Sequence, residues 1–102
     1  MSKNILNILV VSASSLPLAR KIRDKYQGKT TIYCREADND VEPFTSFEEL
    51  AGDLFDKSEA MVFIGAMGIC VRSIAPYVKS KYTDPAVVCL DSTGKYVVSV
   101  LS

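Results

Sequence analysis

Ala60-Met61-Val62-Phe63-Ile64 runs directly into Gly65-Ala66-Met67-Gly68-Ile69-Cys70-Val71-Arg72. A short, unbroken apolar run suits a strand covered on both faces. The glycines suit a tight connection, and the residues after them read as a helix through about Val78, with Pro76 near its end. The same grammar stands at the start of the chain. Ile5 to Val11 is almost continuously apolar and leads into Ser12-Ala13-Ser14-Ser15 and Leu16-Pro17, a serine cap before a first-turn proline. Leu18, Ala19, Ile22 and Tyr26 then recur at helical spacing, and Gly28 closes the element.

Between these units, Thr30 to Cys34 is a β-branched and aromatic strand, and Arg35 to Glu42 is a polar, acidic stretch read as a surface loop. After Pro43, Thr45 and Glu48 have capping-box spacing, and Phe47, Leu50, Ala51, Leu54 and Phe55 fall on one helical face. Ala86 to Leu90 is a further apolar strand, Asp91 to Lys95 has turn chemistry, and Tyr96 to Leu101 is a final strand close enough to pair antiparallel with it. The expectation is one α/β domain over residues 1–102: a three-layer, flavodoxin-like or Rossmann-like, mostly parallel sheet with a C-terminal edge hairpin. No internal repeat or low-complexity tract interrupts it.

Composition narrows the function. Twelve basic residues balance twelve acidic ones, so no long-range field of one sign attracts nucleic acid or an anionic membrane. No apolar run approaches the roughly 20 residues that span a bilayer, and Ile5 to Val11 is too short for a secretion signal. The chain is expected to be cytoplasmic, with neither nucleic acid nor membrane as partner. Cys34, Cys70 and Cys89, odd in number and widely spaced, read as small core residues rather than a disulfide framework or zinc site. Histidine is absent, which removes the commonest general base and metal ligand.

In open α/β sheets ligands bind beyond the carboxyl ends of the strands. Two loops qualify. Ser12, Ser14 and Ser15 offer hydroxyls and N–H groups at a helix start, suited to phosphate or carboxylate or simply to capping. Gly65, Ala66, Met67, Gly68 and Ile69 offer a loop whose glycines let a ligand approach the backbone, with Arg72 one turn further on to meet a carboxylate with its planar fork. The dinucleotide pattern is not met, because the third glycine is missing. Lys79 and Lys81 read as solvated, Asp91 as turn chemistry, and Met67 as no metal ligand, since a lone thioether makes a poor site.

Phe63 to Tyr77, continuing through Lys79, Lys81 and Asp84-Pro85-Ala86-Val87-Val88 to Asp91, Gly94 and Val97 to Ser102, carries Gly-Ala-x-Gly-Ile-x-Val-Arg and Asp-Pro-Ala-Val-Val in order. It closely resembles the N-terminal domain of CbiG, the cobalt-precorrin-5A hydrolase family of anaerobic cobalamin biosynthesis. The resemblance is most specific over the last forty or so residues. It implies hydrolysis of the ring-A δ-lactone of cobalt-precorrin-5A with release of acetaldehyde, giving cobalt-precorrin-5B. It also implies a cobalt-precorrin tetrapyrrole as ligand, no cofactor of the protein's own because the substrate carries the cobalt, and rim carboxylates of that substrate at the Gly65–Arg72 loop. Family members continue after a segment like Val100-Leu101-Ser102 with a Gly-His-Gly-Gly-Ala-Asn type of motif, a middle region and a C-terminal domain. The chain is therefore expected to be an excised domain, inactive alone, whose partners are those regions of the parent protein.

Lactone hydrolysis needs an activated water and stabilisation of a developing oxyanion. The loop N–H groups and Arg72 suit the second task, and no residue qualifies as the base, so the catalytic residue is unknown. The competing expectation is a non-catalytic substrate-binding or docking module of a larger cobalamin-biosynthesis protein, which for docking calls for an apolar patch along Tyr96 to Leu101. A phosphotransfer domain fits poorly, because serines stand where a nucleophilic cysteine or histidine would come after the first strand. An electron carrier lacks an aromatic platform for a flavin.

Overall fold

Apolar strands buried on both faces require a helical layer above and another below. The computed structural model describes residues 4–36 and 38–101; Ala37, inside the acidic stretch, and Ser102, at the end of the family-like segment, lie outside the described residues. The elements are β1 (Ile5–Val10), α1 (Leu16–Lys25), β2 (Lys29–Cys34), β3 (Val41–Glu42), α2 (Phe47–Phe55), β4 (Ala60–Ile64), α3 (Met67–Ile74), β5 (Ala86–Leu90) and β6 (Val97–Leu101), with 3₁₀ turns at Ala13–Ser15 and Ala75–Tyr77. One sheet runs β3-β2-β1-β4-β5-β6. Its first five strands are parallel, and β6 pairs antiparallel with β5, slipping register between Val87 and Val88. The expected three-layer α/β architecture with its edge hairpin is what forms.

Alternation along β1 assigns the two faces. Leu6, Ile8 and Val10 pack with Leu16 and Ala19 of α1, whereas Leu9 packs with Phe47, Ala51, Leu54 and Phe55 of α2 and Cys70 and Ile74 of α3. Asn7 breaks the apolar run but is still buried, because its Nδ2 donates to Ser58 Oγ at 2.7 Å and Ser58 Oγ donates to the Leu54 carbonyl at 2.8 Å. This chain of bonds ties the central strand to the end of α2.

The structure differs from the sequence reading at several element boundaries. Within the presumed loop, Val41–Glu42 forms β3, pairing Ile32 with Val41; a two-residue strand has too little periodicity to be seen. Ser46, not Thr45, caps α2, its Oγ accepting from the Glu49 N–H at 3.3 Å. Both positions have a glutamate three residues on, so spacing alone could not choose. Helix α3 stops at Ile74 and tightens into a 3₁₀ turn around Pro76, whose missing N–H cannot continue the helical ladder. Helix α1 ends at Lys25, ahead of Gly28, and the glycine serves a close approach: a Cβ there would sit 2.6 Å from the Asn4 carbonyl oxygen. The last strand starts one residue later than expected, at Val97.

The segment before β3 is held down by charge. Arg20 Nη2 bonds Asp38 at 2.8 Å and Asp40 at 2.7 Å, and Arg23 Nη1 bonds Asp40 at 2.5 Å. No helix among the described residues is long and apolar enough to cross a membrane.

These contacts can be tested by substitution. Ser58→Ala should lower stability in urea unfolding by about 1–3 kcal/mol, because the buried Asn7 amide loses its acceptor, whereas Ser73→Ala, whose hydroxyl donates back to the Ile69 carbonyl of its own helix at 2.6 Å, should cost less, about 0.5 kcal/mol, because that carbonyl is part of the helical ladder. Hydrogen bonds from Arg20, then Arg23, hold the Asp40 carboxyl well below its ordinary range, and Arg20 and the Asn39 N–H lower Asp38. Depressed carboxyls contribute stability above the unfolded pKa of about 3.9 and lose it as pH falls through the folded value. The melting temperature should therefore drop more steeply below about pH 4 in the wild type than in Asp40→Asn, and parallel curves would dismiss the contribution.

Candidate functional site

Neighbouring strands β1 and β4 send their chains to opposite faces of the sheet, β1 toward α1 and β4 toward α3. A crevice opens where such connections diverge. Its floor stays zipped: the Val11 N–H donates to the Ile64 carbonyl at 3.0 Å, and the Gly65 N–H to the Leu90 carbonyl at 2.9 Å. Gly65 has φ +152°, and a Cβ added to it would lie 2.3 Å from Val11 Cγ2. The space left by this glycine is thus filled by the protein's own Val11.

The Ser12–Ser15 loop closes on itself. Ser12 Oγ accepts from the Ser14 N–H at 3.4 Å and lies 3.0 Å from Ser14 Oγ, while the Ser15 N–H donates to the Ser12 carbonyl at 3.0 Å. Ser15 is buried, so Ser12 and Ser14 are the hydroxyls left at the surface. In contrast to α2, α3 begins at Ala66 without a side-chain cap, and Ala66, Met67 and Gly68 are all exposed. Its first N–H groups therefore carry the positive end of the helix dipole toward solvent.

Ser12, Ser14 and Ser15 line neither of the two depressions flanking the Gly65 turn, whereas the predicted residues of the Gly65–Arg72 segment divide between them. On one side Ile69 and Arg72 join Val11, Ser73, Arg35 and the start of α2 around a cavity of about 330 Å³. On the other side Gly65, Ala66 and Met67 join Cys89, Asp91, Tyr96 and Val98 around about 260 Å³. Gly68 lies between them, and the Arg72 guanidinium folds back toward it, 3.4 Å from where a Gly68 Cβ would be. A helical side chain leans toward the N-terminus of its helix, which brings the Arg72 fork to the mouth.

Arg35 is the residue that sequence reading missed. Its guanidinium carbon lies over Phe47 and Phe44, 5.2 and 5.9 Å from their centroids, and those rings meet edge-on at 4.7 Å. The signal was available: Arg35 comes directly after β2, so it sits on the same rim as the loops after β1 and β4.

The remaining candidates fall into structural roles. Asp91 accepts from the Thr93 hydroxyl and from the Tyr96 N–H at 2.8 Å, and these bonds hold its carboxyl below the ordinary range. It stays ionised and braces the hairpin turn. Burial pushes the Cys70 thiol up to about 12 and raises Cys89, so neither offers a thiolate nucleophile. Lys79 pairs with Asp56 at 3.1 Å and Lys81 lies over the Tyr82 ring at 5.4 Å. Among the described residues no group of histidine, cysteine, aspartate or glutamate has the makings of a metal site. The arrangement is suited to gripping an anion beside an apolar surface.

Known proteins share this framework. Residues 49–102 match the family model "Cobalamin synthesis G N-terminal". The chain is 48% identical over 56 residues to a cobalt-precorrin-5A hydrolase of Salmonella typhimurium, covering 55% of this chain and 16% of that protein. It is 31% identical to a cobalt-precorrin-5A hydrolase of Priestia megaterium over 93% of this chain and 27% of that protein. A cobalamin biosynthesis protein G homologue from Sulfolobus solfataricus superposes with a TM-score of 0.73 at 24% identity, over 96% of this chain and 29% of that one, and so shares the fold. The chain spans about a quarter of the length of the Priestia relative. The matched residues 49–102 make up just over half of the chain and build β4, the Gly65 turn, α3 and the β5–β6 hairpin, and on that match the chain belongs to the CbiG N-terminal family.

Proposed function

We propose that this domain is the N-terminal part of a cobalt-precorrin-5A hydrolase and supplies a substrate-holding wall of its active site. The observation that carries the reading is that the family match covers the segment that builds the crevice, from the Gly65 turn through Arg72 to the edge hairpin. The substrate of the reaction is a cobalt-bearing tetrapyrrole rimmed with acetate and propionate arms. Arg72 holds one of those carboxylates, and the apolar depression beside Met67, Cys89 and Val98 takes part of the macrocycle.

Opening the ring-A lactone adds water across its acyl–oxygen bond, and the two-carbon fragment is then lost as acetaldehyde. Donors at the α3 N-terminus suit the oxyanion of the first step. The base that activates water comes from the middle or C-terminal region of a longer protein, with which this domain acts.

A second reading, a docking module without substrate contact, is favoured by β6. It is an edge strand beside which Tyr96, and on which Val97 and Val98, are exposed at 72%, 61% and 47%.

Anaerobic titration of cobalt-precorrin-5A into this chain and into the full-length Priestia relative, monitored by corrinoid absorbance and acetaldehyde release, separates the two. The chain should bind without turnover, Arg72→Ala should weaken binding roughly 10-fold, and acetaldehyde should appear only with the full-length protein. Absence of binding would leave the docking reading, and turnover by the chain alone would place the base within it.

A further inference from the structure

Of the chain's four arginines, Arg20 and Arg23 are committed to Asp38, Asp40 and Asp24. Arg35 and Arg72 have no acidic partner among the described residues, and both line the cavity of about 330 Å³ between α2 and α3. Unpaired arginines scattered over a surface would mean little. Here two stand on one cavity, and one of them is held in place.

Cation–π contacts with Phe44 and Phe47, at 5.9 and 5.2 Å from the guanidinium carbon to the ring centroids, restrict the motion of Arg35. Its in-plane N–H donors remain unclaimed by any described residue. A planar fork placed by aromatic contacts, with its donors unclaimed, is matched by a planar oxyanion. Glu48 on the same wall offsets one of the two positive charges, so the rim carries a single net positive charge. That balance suits a monoanionic carboxylate better than dianionic phosphate.

We propose that Arg35 and Arg72 form a two-arginine receptor for a carboxylate side arm entering this cavity, with Arg35 the residue that adds specificity to the contact made by Arg72. The corrinoid identity of the ligand rests on the function proposed above; the receptor rests on the two arginines and the aromatic contacts of Arg35.

The test uses the 102-residue chain labelled with ¹⁵N, tracking the arginine Nε–Hε signals while propionate, inorganic phosphate, cobyrinic acid or its permethyl ester is added. Propionate and cobyrinic acid should move the Arg35 and Arg72 signals saturably and leave those of Arg20 and Arg23 in place, with phosphate weaker than propionate and the uncharged ester inert. Arg35→Ala and Arg72→Ala should each weaken cobyrinic acid roughly 10-fold, with Arg35→Lys in between. Unchanged binding by Arg35→Ala beside a loss in Arg72→Ala would overturn the receptor and spare the corrinoid reading. Saturable propionate shifts without any binding of cobyrinic acid would do the reverse. If neither carboxylate moves either arginine, the receptor is wrong.

Discussion

Gly65 lies so close to Val11 that a single added methyl would overlap its side chain. This contact joins the ends of the two central strands at the point where the chain leaves the sheet for α3. Around it the backbone is fixed on both sides, by the Val11 N–H on the Ile64 carbonyl and the Gly65 N–H on the Leu90 carbonyl. The start of α3, and with it the reach of Arg72, is set by that seam. The crevice is therefore a consequence of strand packing more than of loop composition.

Charge placement gives the crevice its character. A net charge of zero says nothing about where the charges fall. Asp38 and Asp40 are drawn to Arg20 and Arg23, leaving Arg35 and Arg72 without acids of their own among the described residues. Aromatic rings, rather than carboxylates, orient Arg35. An arginine positioned in this way keeps hydrogen-bond donors for another molecule, because a cation–π contact is an attraction of the charge to the ring and takes up no oxygen acceptor.

The far side of the sheet is finished differently. β6 runs antiparallel, slips register beside Val87, and exposes Val97 and Val98 at the edge. Bulges of this kind bend and twist an edge strand, which makes it a poorer template for further pairing. The apolar side chains there remain surface that a neighbouring region of a larger protein is suited to cover.

The order of strands and helices was legible because side-chain periodicity is local: alternate or consecutive burial in β1, β4 and β5 and the helical stripe of α2 repeat over a few residues wherever the chain folds. The Gly65–Arg72 turn was legible as a strand-to-helix connection for the same reason, since strand, glycine turn and helix start are adjacent in sequence. Other features were decided only in three dimensions. Ser46 rather than Thr45 caps α2, directly ahead of Phe47, which is buried in the core. The short β3 exists because Val41 finds a place beside Ile32, with Arg20 and Arg23 fastening the residues before it. The pairing of Arg35 with Arg72 on one cavity, 37 positions apart in the numbering, came from strand order, which brings the ends of β2, β1 and β4 side by side. Local spacing fixes which elements form; long-range packing fixes which of their residues meet.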